Sequence, residues 1–357
     1  MDKDAVRFLV ELIKRYSPST GEKEASDYIY DYIRSIGGYQ EVRRDGANNV
    51  IMRMSNGKPE IYLIGHMDTV PGELPIVYDG KSIAGRGAVD AKTSLSALLH
   101  AALELENTGC GLVFAAVTDE ERASDGMNAL LKGGARPDFA VFGEPTGLNS
   151  VAISYKGRLL VKLDYRAQSY HSSSPWLGKT AFDLMWEDVE RIKGEIRSLN
   201  EGAKSNFESI TAQAVKCSCG NSLNKTPSNA TLYIDMRFPP GYTSQELESR
   251  LISTAHSVED RLEPFGTSPG NILPRAFYHG IFKILNRKPN YVKKMGTCDG
   301  NVLRSYYDVP IIAYGAGDSK LSHTEFERVT IDDYLKSIDI IKESVKFLCQ
   351  NSTDKMN

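Results

Sequence analysis

The sequence predicts an α/β protein carrying an inserted α+β domain, and three observations predict it. Over the first 150 residues, apolar runs of strand length alternate with helix-length stretches, the pattern of a largely parallel or mixed sheet with helices on both faces. After Glu144-Pro145-Thr146-Gly147 this alternation gives way to hairpin-like strand runs and two amphipathic helices. The α/β pattern then resumes, with Val309 to Tyr314 as another buried strand ending in Gly315-Ala316-Gly317. A chain of 357 residues, at roughly 150 per domain, accommodates two domains. The boundaries drawn are 1–150 and 266–357 for a first domain assembled from both ends of the chain, and 151–265 for the insertion.

Taken in order, the opening helix buries Val6, Leu9, Val10 and Ile13 and stops near Ser17-Pro18-Ser19. Ser19 or Thr20 then caps a second helix whose stripe is Ala25, Tyr28, Ile29, Tyr32 and Ile33, ended by Gly37-Gly38. Strands are expected at Asn49 to Met54, Glu60 to Ile64 and Leu112 to Val117, with a buried, Ala-rich helix at Leu95 to Leu105. In the insertion, residues 151–166 read as one long strand pair and Thr180 to Ile196 as a helix. Ser209 to Cys217 and Ala230 to Phe238 are two more strands. A last helix there runs from Thr243 to about Leu262, with Ser244 as its cap and Glu246 as a first-turn acid. A closing helix spans Ile331 to Leu348, and the tail at 351–357 reads as disordered.

Composition narrows the function. Lys+Arg 43 against Asp+Glu 46, a net charge of -3 and no basic run exclude a nucleic-acid footprint. No window approaches about 18 consecutive apolar residues, and the N-terminus lacks the apolar core of a signal peptide, so a cytoplasmic, soluble protein without a membrane role is expected. Five scattered cysteines without a CxxC pair read as free thiols rather than a disulfide or metal framework.

The chemistry concentrates in polar residues delivered by apolar runs. Tyr62 to Ile64 leads into His66 and Asp68, which are two apart and project to one side of a strand. Leu112 to Val117 leads into Asp119, Glu120 and Glu121. Taken together, His66, Asp90, Glu120, Glu121, Glu144 and His323 offer two imidazoles and four carboxylates. Each alone has an ordinary reading: a strand-end histidine is commonly a hydrogen-bonded one, and an acidic triplet is commonly a solvated loop or helix start. Together they are the mixed donor set that two bridged borderline cations accept. Gly65, Gly85, Gly87 and Gly143 beside them point to backbone placed tightly around something.

The ordered motifs GHMDTVPG, GRGAVDAK, TDEE, FGEPTG and LSHTE resemble the zinc-dependent exopeptidase and deacylase family that includes acetylornithine deacetylase, succinyl-diaminopimelate desuccinylase, carboxypeptidase G2 and the aminoacylases. The resemblance covers nearly the whole chain. It implies a phosphorylase/hydrolase-like α/β sandwich whose inserted domain is a lid and the interface of a homodimer. It also implies two Zn²⁺ ions, with Co²⁺ or Mn²⁺ admitted by the mixed donors. His66 and Glu144 would complete one site, Glu121 and His323 the other, and Asp90 would bridge them. Asp68 would orient His66, and Glu120 would be the general base of an amide hydrolysis. In the lid, His171 would help stabilise the oxyanion from a partner subunit, and Asn224 and Arg237 would contact substrate. An ion pair within the lid is the structural alternative for Arg237. Gly296 and Thr297 would receive an α-carboxylate. The chain departs from the family at Thr93, where glycine is frequent, and at Arg122-Ala123-Ser124.

GRGAVDAK and SYKGRLLV are similar in particular to the branch that releases lysine or ornithine from the C-terminal glutamate side chain of an amino-group carrier protein. An N-acetyl-ornithine or N-acetyl-lysine deacetylase, acting on a small N-acyl amino acid, is the alternative, followed by a dipeptidase or aminoacylase. A cationic product calls for an acidic neighbour, for which Asp299 is a candidate. Readings from other classes are weaker. The third glycine of a dinucleotide-binding GxGxxG falls on Asp90, and the first glycine of a phosphate-binding loop falls on Ser173. An inactive metal-binding protein on this fold remains the non-enzyme alternative.

Overall fold

The computed structural model describes residues 2–105 and 108–352. The chain forms two units: one comprises 2–154, 266–293 and 298–352 of the described residues, the other 155–265 with 294–297.

The larger unit is built on a sheet in the order Glu41–Arg44, Val50–Ser55, Gly111–Val117, Glu60–His66, Phe139–Phe142, Ile311–Ala313, Ser150–Tyr155. Its middle four strands are parallel, and the outer ones pair antiparallel to them. Gly111–Val117 is buried at every position, as expected of a parallel strand covered on both faces. The Lys92–Leu103 helix is likewise buried all round from Lys92 to Ala102, so it shows no amphipathic stripe. It lies close to the sheet because Gly65 and Gly143 leave it room. A Cβ on Gly65 would come within 3.0 Å of Leu95, and one on Gly143 within 2.8 Å of Leu98. The tightness read from these two glycines is therefore helix-on-strand packing.

Lys92 heads that helix and is fully buried. Its Nζ donates to the Leu12 and Arg15 carbonyls at the end of the first helix, and burial lowers its pKa to about 7. The first helix, Asp2–Ile13, centres its buried face on Phe8, Leu9 and Leu12, leaving Val6 and Val10 partly buried. The second, Lys23–Ile36, starts after Glu22 and has no side-chain cap. Ser19 and Thr20 lie three or more residues ahead of it, and Ser19 serves the site described below. The strand read at Val309 to Tyr314 is Ile311–Ala313. The closing helix continues from Ile331 through Ser352, so the first two residues of the expected disordered tail are helical, and 353–357 lie outside the described residues. All five cysteines are free thiols. Among the described residues, no helix is long and apolar enough to cross a membrane.

One buried network of this unit titrates. His100 accepts from Tyr32 Oη at 2.9 Å through Nε2 and donates from Nδ1 to the Ser96 carbonyl at 2.8 Å, which fixes a neutral ring. Burial depresses its pKa to about 4. Between pH 6.5 and 4 the unfolded chain binds a proton that the folded one refuses, so stability falls as pH falls, by up to about 3 kcal/mol. Urea unfolding at pH 7 and pH 5 should register about 2 kcal/mol of this, and the loss should be smaller by that amount in His100→Gln. Equal pH sensitivity in the two proteins would remove His100 from the account.

The smaller unit is an antiparallel sheet in the order Thr211–Cys219, Asn229–Phe238, Gly157–Arg166, His256–Leu262, with two helices, Ala181–Leu199 and Ser244–Leu251. Gly157–Arg166 alternates strictly, burying Leu159, Val161, Leu163 and Tyr165 against Met185, Ile192 and Ile196. The stretch 151–166 is thus two strands of two different sheets: Ser150–Tyr155 is buried on both faces from Val151 onward and belongs to the large sheet, whereas the run after Lys156, buried on one face only, belongs to this one. Thr180 makes a capping box with Asp183. The last helix ends at Leu251, and its cap is Thr243, which accepts from Glu246 N; the residues from His256 onward form the edge strand. Ser244 instead hydrogen-bonds Glu263.

Candidate metal centre

In the parallel sheet His66 stands opposite Val117, and Ile64 opposite Phe142, so these strands finish at one edge. The crevice beyond such carboxyl ends is where open α/β sheets bind ligands. His66 is the last residue of its strand, Glu120 and Glu121 follow Val117, and Glu144 follows Phe142. Asp90 ends the irregular loop ahead of the Lys92–Leu103 helix. His323 sits in the turn beyond Ile311–Ala313 with φ of 63°.

Three overlapping groups of donor atoms result, each lying within 4.8 Å: His66, Asp90 and Glu144; Asp90, Glu121 and His323; and His66, Glu120 and Glu121. Asp90 is common to the first two. Its Oδ1 lies 3.3 Å from His66 Nε2, and its Oδ2 lies 3.4 Å from His323 Nε2. His323 Nε2 is 2.9 Å from Glu121 Oε1. His66 Nδ1 faces Asp68, 3.1 Å from its carbonyl and 3.3 Å from its Oδ1. His66 is buried, and its Nε2 meets no hydrogen-bond partner. A histidine that turns one ring nitrogen to Asp68 and leaves the other without a hydrogen bond inside a carboxylate cluster fits a metal ligand.

The electrostatics agree. Burial raises the Glu120 carboxyl well above its ordinary value, and Glu144, Asp299 and Glu121 raise it further against the pull of His66. Burial brings Glu144 to about 8, with Asp90 and Glu121 adding to it. Asp90 is held low despite its burial by His323 and His66. His323 rises to about 10 on its bonds to Asp90 and Glu121, and His66 rises well above the usual range although burial opposes it. So many acids crowded out of water is the charge pattern that divalent cations neutralise.

Asp68 does more than face His66: its Oδ1 accepts from Glu120 N and its Oδ2 from Glu121 N, both at 3.1 Å. Ser19 Oγ donates to the same carboxylate at 2.7 Å, and Glu22 Oε1 accepts from Asp119 N at 3.0 Å. The sequence reads Ser19 as a helix cap and gives Glu22 no role; neither is placed at the site, since the two bonds span 49 and 97 residues of chain. Asp299, at the start of the Asp299–Tyr306 helix, is buried, and neither carboxylate oxygen has a partner of hydrogen-bond geometry; burial raises it to about 7.

The remaining residues predicted for the site belong to the smaller unit. His171 is exposed, its Nδ1 is 2.7 Å from Ser173 Oγ, and its neighbour Ser172 donates to the Asn224 carbonyl at 3.2 Å, which joins the His171 and Asn224 loops. Arg237 gives Nε and Nη2 to Asp235 at 2.6 and 3.2 Å, so the ion pair left open from sequence is made. Its Nη1 lies 3.4 Å from Thr297 Oγ1, next to Gly296.

The profile of peptidase family M20/M25/M40 matches residues 62–346. A protein of Pyrobaculum aerophilum, provisionally named a LysW-lysine/LysW-ornithine hydrolase, is 35% identical over 346 residues, covering 97% of this chain and 98% of that one. The LysW-lysine/LysW-ornithine hydrolase of Sulfurisphaera tokodaii is 30% identical over 350 residues, covering 96% and 94%. A solved structure of a dinuclear metal-binding M20 peptidase from Bacillus subtilis superposes with a TM-score of 0.73 at 11% identity, covering 98% of each chain, a likeness of fold.

Proposed function

The chain belongs to peptidase family M20/M25/M40, and on that premise we propose a metal-dependent amide hydrolase that releases L-lysine or L-ornithine from the C-terminal glutamate side chain of an amino-group carrier protein. The observation that carries the chemistry is the pair of donor groups sharing Asp90. His66 and Glu144 would hold one ion and Glu121 and His323 the other, with zinc as the assigned metal and cobalt or manganese compatible with the same donors. Ions bound there supply an acidified water and a polarised amide carbonyl.

The chain's own part is proton handling and positioning. Glu120 is assigned as the base that takes the proton of the attacking water and returns it to the leaving amine. Burial and the neighbouring carboxylates raise its pKa, the direction that helps it hold a proton between the two transfers. Asp68 holds the His66 ring through its carbonyl, with Oδ1 3.3 Å from the same nitrogen, and the Glu120–Glu121 backbone through its carboxylate. His171 is assigned to the developing oxyanion, reaching a partner subunit's site in a cytoplasmic homodimer formed through the insertion. Arg237, Asn224, Gly296 and Thr297 are assigned to the substrate, and Asp299 to the product's ammonium. The carrier as substrate is supported by the names of the relatives, which cover nearly the whole chain.

The test is hydrolysis by the zinc-loaded protein of two substrate sets in parallel. One is N-acetyl-ornithine with N-acetyl-lysine. The other is a carrier-like peptide ending in glutamate, with lysine or ornithine amide-linked through its side-chain carboxyl. The conjugate should have the higher kcat/KM, and preference for the acetyl compounds would make the protein a small-molecule deacetylase.

A further inference from the structure

Asp90 must serve both donor groups, one oxygen towards each, yet it ends an irregular loop that has no sheet partner of its own beyond Ala84. The loop is held by a residue outside the site. Glu327, 1% exposed, turns Oε2 towards it and accepts from the backbone N–H groups of Gly87 at 3.0 Å, Val89 at 3.1 Å and Asp90 at 3.3 Å. Successive amides converging on one oxygen make an anion-binding concavity, here filled by a side chain of the same protein.

The other oxygen of Glu327 takes Nη1 of Arg86, itself 8% exposed. Arg86 spends its remaining donors on two further segments: Nε on the Gly72 carbonyl at 2.9 Å and Nη1 also on the Thr324 carbonyl at 3.0 Å. Gly72 closes the turn that follows Asp68, and Thr324 is the residue after His323. One buried ion pair therefore clamps three backbone segments: the Asp90 loop, the turn beyond Asp68 and the His323 turn.

We infer that Glu327, locked by Arg86, is a positioning residue for the metal centre, setting the Asp90 carboxylate between the two donor groups and holding the His323 turn against it. A buried ion pair is weak support for stability, because an apolar pair of similar volume packs as well without the desolvation cost. What an apolar pair lacks is the convergent backbone bonding that fixes where Asp90 and His323 sit. A glutamine at 327 keeps the volume but turns an N–H₂ group either to the loop amides or to the guanidinium, so one side of the clamp opens.

The inference rests on the metal-centre reading, and its readout is ion affinity, which is independent of the substrate. Full-length protein stripped by chelator is titrated with Co²⁺ and followed by its visible absorbance. Parent protein that takes up no ion would defeat the centre itself. With parent uptake established, Glu327→Gln should weaken Co²⁺ binding by about 10–100-fold, the usual cost of losing a partner behind the ligands. Excess Co²⁺ should restore kcat, with KM unchanged. Tyr334→Phe, which removes a buried hydroxyl bonded to Ser96 and Ala5 away from the site, should lower Tm without moving the titration. If Glu327→Gln does not fold, Arg86→Lys is the test: it keeps the charge facing Glu327 but loses the fork to Gly72 and Thr324, and the same weakening is expected. A titration that superimposes on the parent's in the folded variant, with Tm lowered, would overturn the inference.

Discussion

Glu120→Gln is expected to keep its metal content and lose the chemical step, with kcat falling by about 10²–10⁴-fold, the span of a general base. That is about 3–5 kcal/mol of barrier. The replacement is isosteric, and the backbone N–H of residue 120 stays bonded to Asp68, so the turn that also carries Glu121 should survive. Glu120 also falls within one donor group, with His66 and Glu121, which gives the experiment a second edge. Metal analysis alongside turnover separates the roles. Loss of an ion together with activity would make Glu120 a ligand, and full activity would displace it as base.

Asp90→Ala should weaken binding at both sites at once, by at least about 100-fold, since even a partner behind a ligand is worth 10–100-fold. The reason is geometric: Asp90 Oδ1 faces His66 and Oδ2 faces His323, whereas Glu144 joins only the group with His66 and Asp90. Glu144→Ala should therefore cost one ion and leave the other. Elemental analysis after dialysis decides it. A single ion retained in Asp90→Ala would show that the two groups are not bridged by this residue.

How much of this was readable in advance depends on how local each determinant is. The strands bearing His66, Glu120 and Glu144 are short apolar runs, and Glu60–His66 and Gly111–Val117 stand where the apolar pattern puts them, each handing a polar residue to its end. His66, Glu120, Glu121 and Glu144 can be picked out for the same reason, because a carboxylate or imidazole just past a buried strand is visible within five residues; Asp90 and His323, farther from any strand end, stand out only through the motifs GRGAVDAK and LSHTE. The sequence was silent on strand order and on which ends meet. The reading of 151–166 as one strand pair failed because a hairpin and a strand that changes sheets have the same local pattern. The sequence places the cap at Ser244, but adjacent hydroxyls have similar capping propensity, and Glu263, nineteen residues on, engages Ser244 while Thr243 caps the helix.

The sequence by itself determined the kinds of element and pointed to an insertion and to a set of candidate donor residues, since these are written in periodicity and in residue type. Only the tertiary structure decided that Gly65 and Gly143 serve helix packing, that Asp68 collects the amides of Glu120 and Glu121, and that Glu327 holds the loop of Asp90. The bond from Glu327 to Asp90 joins residues 237 apart. A hydrogen bond depends on distance and angle in space, and no spacing along the chain records them.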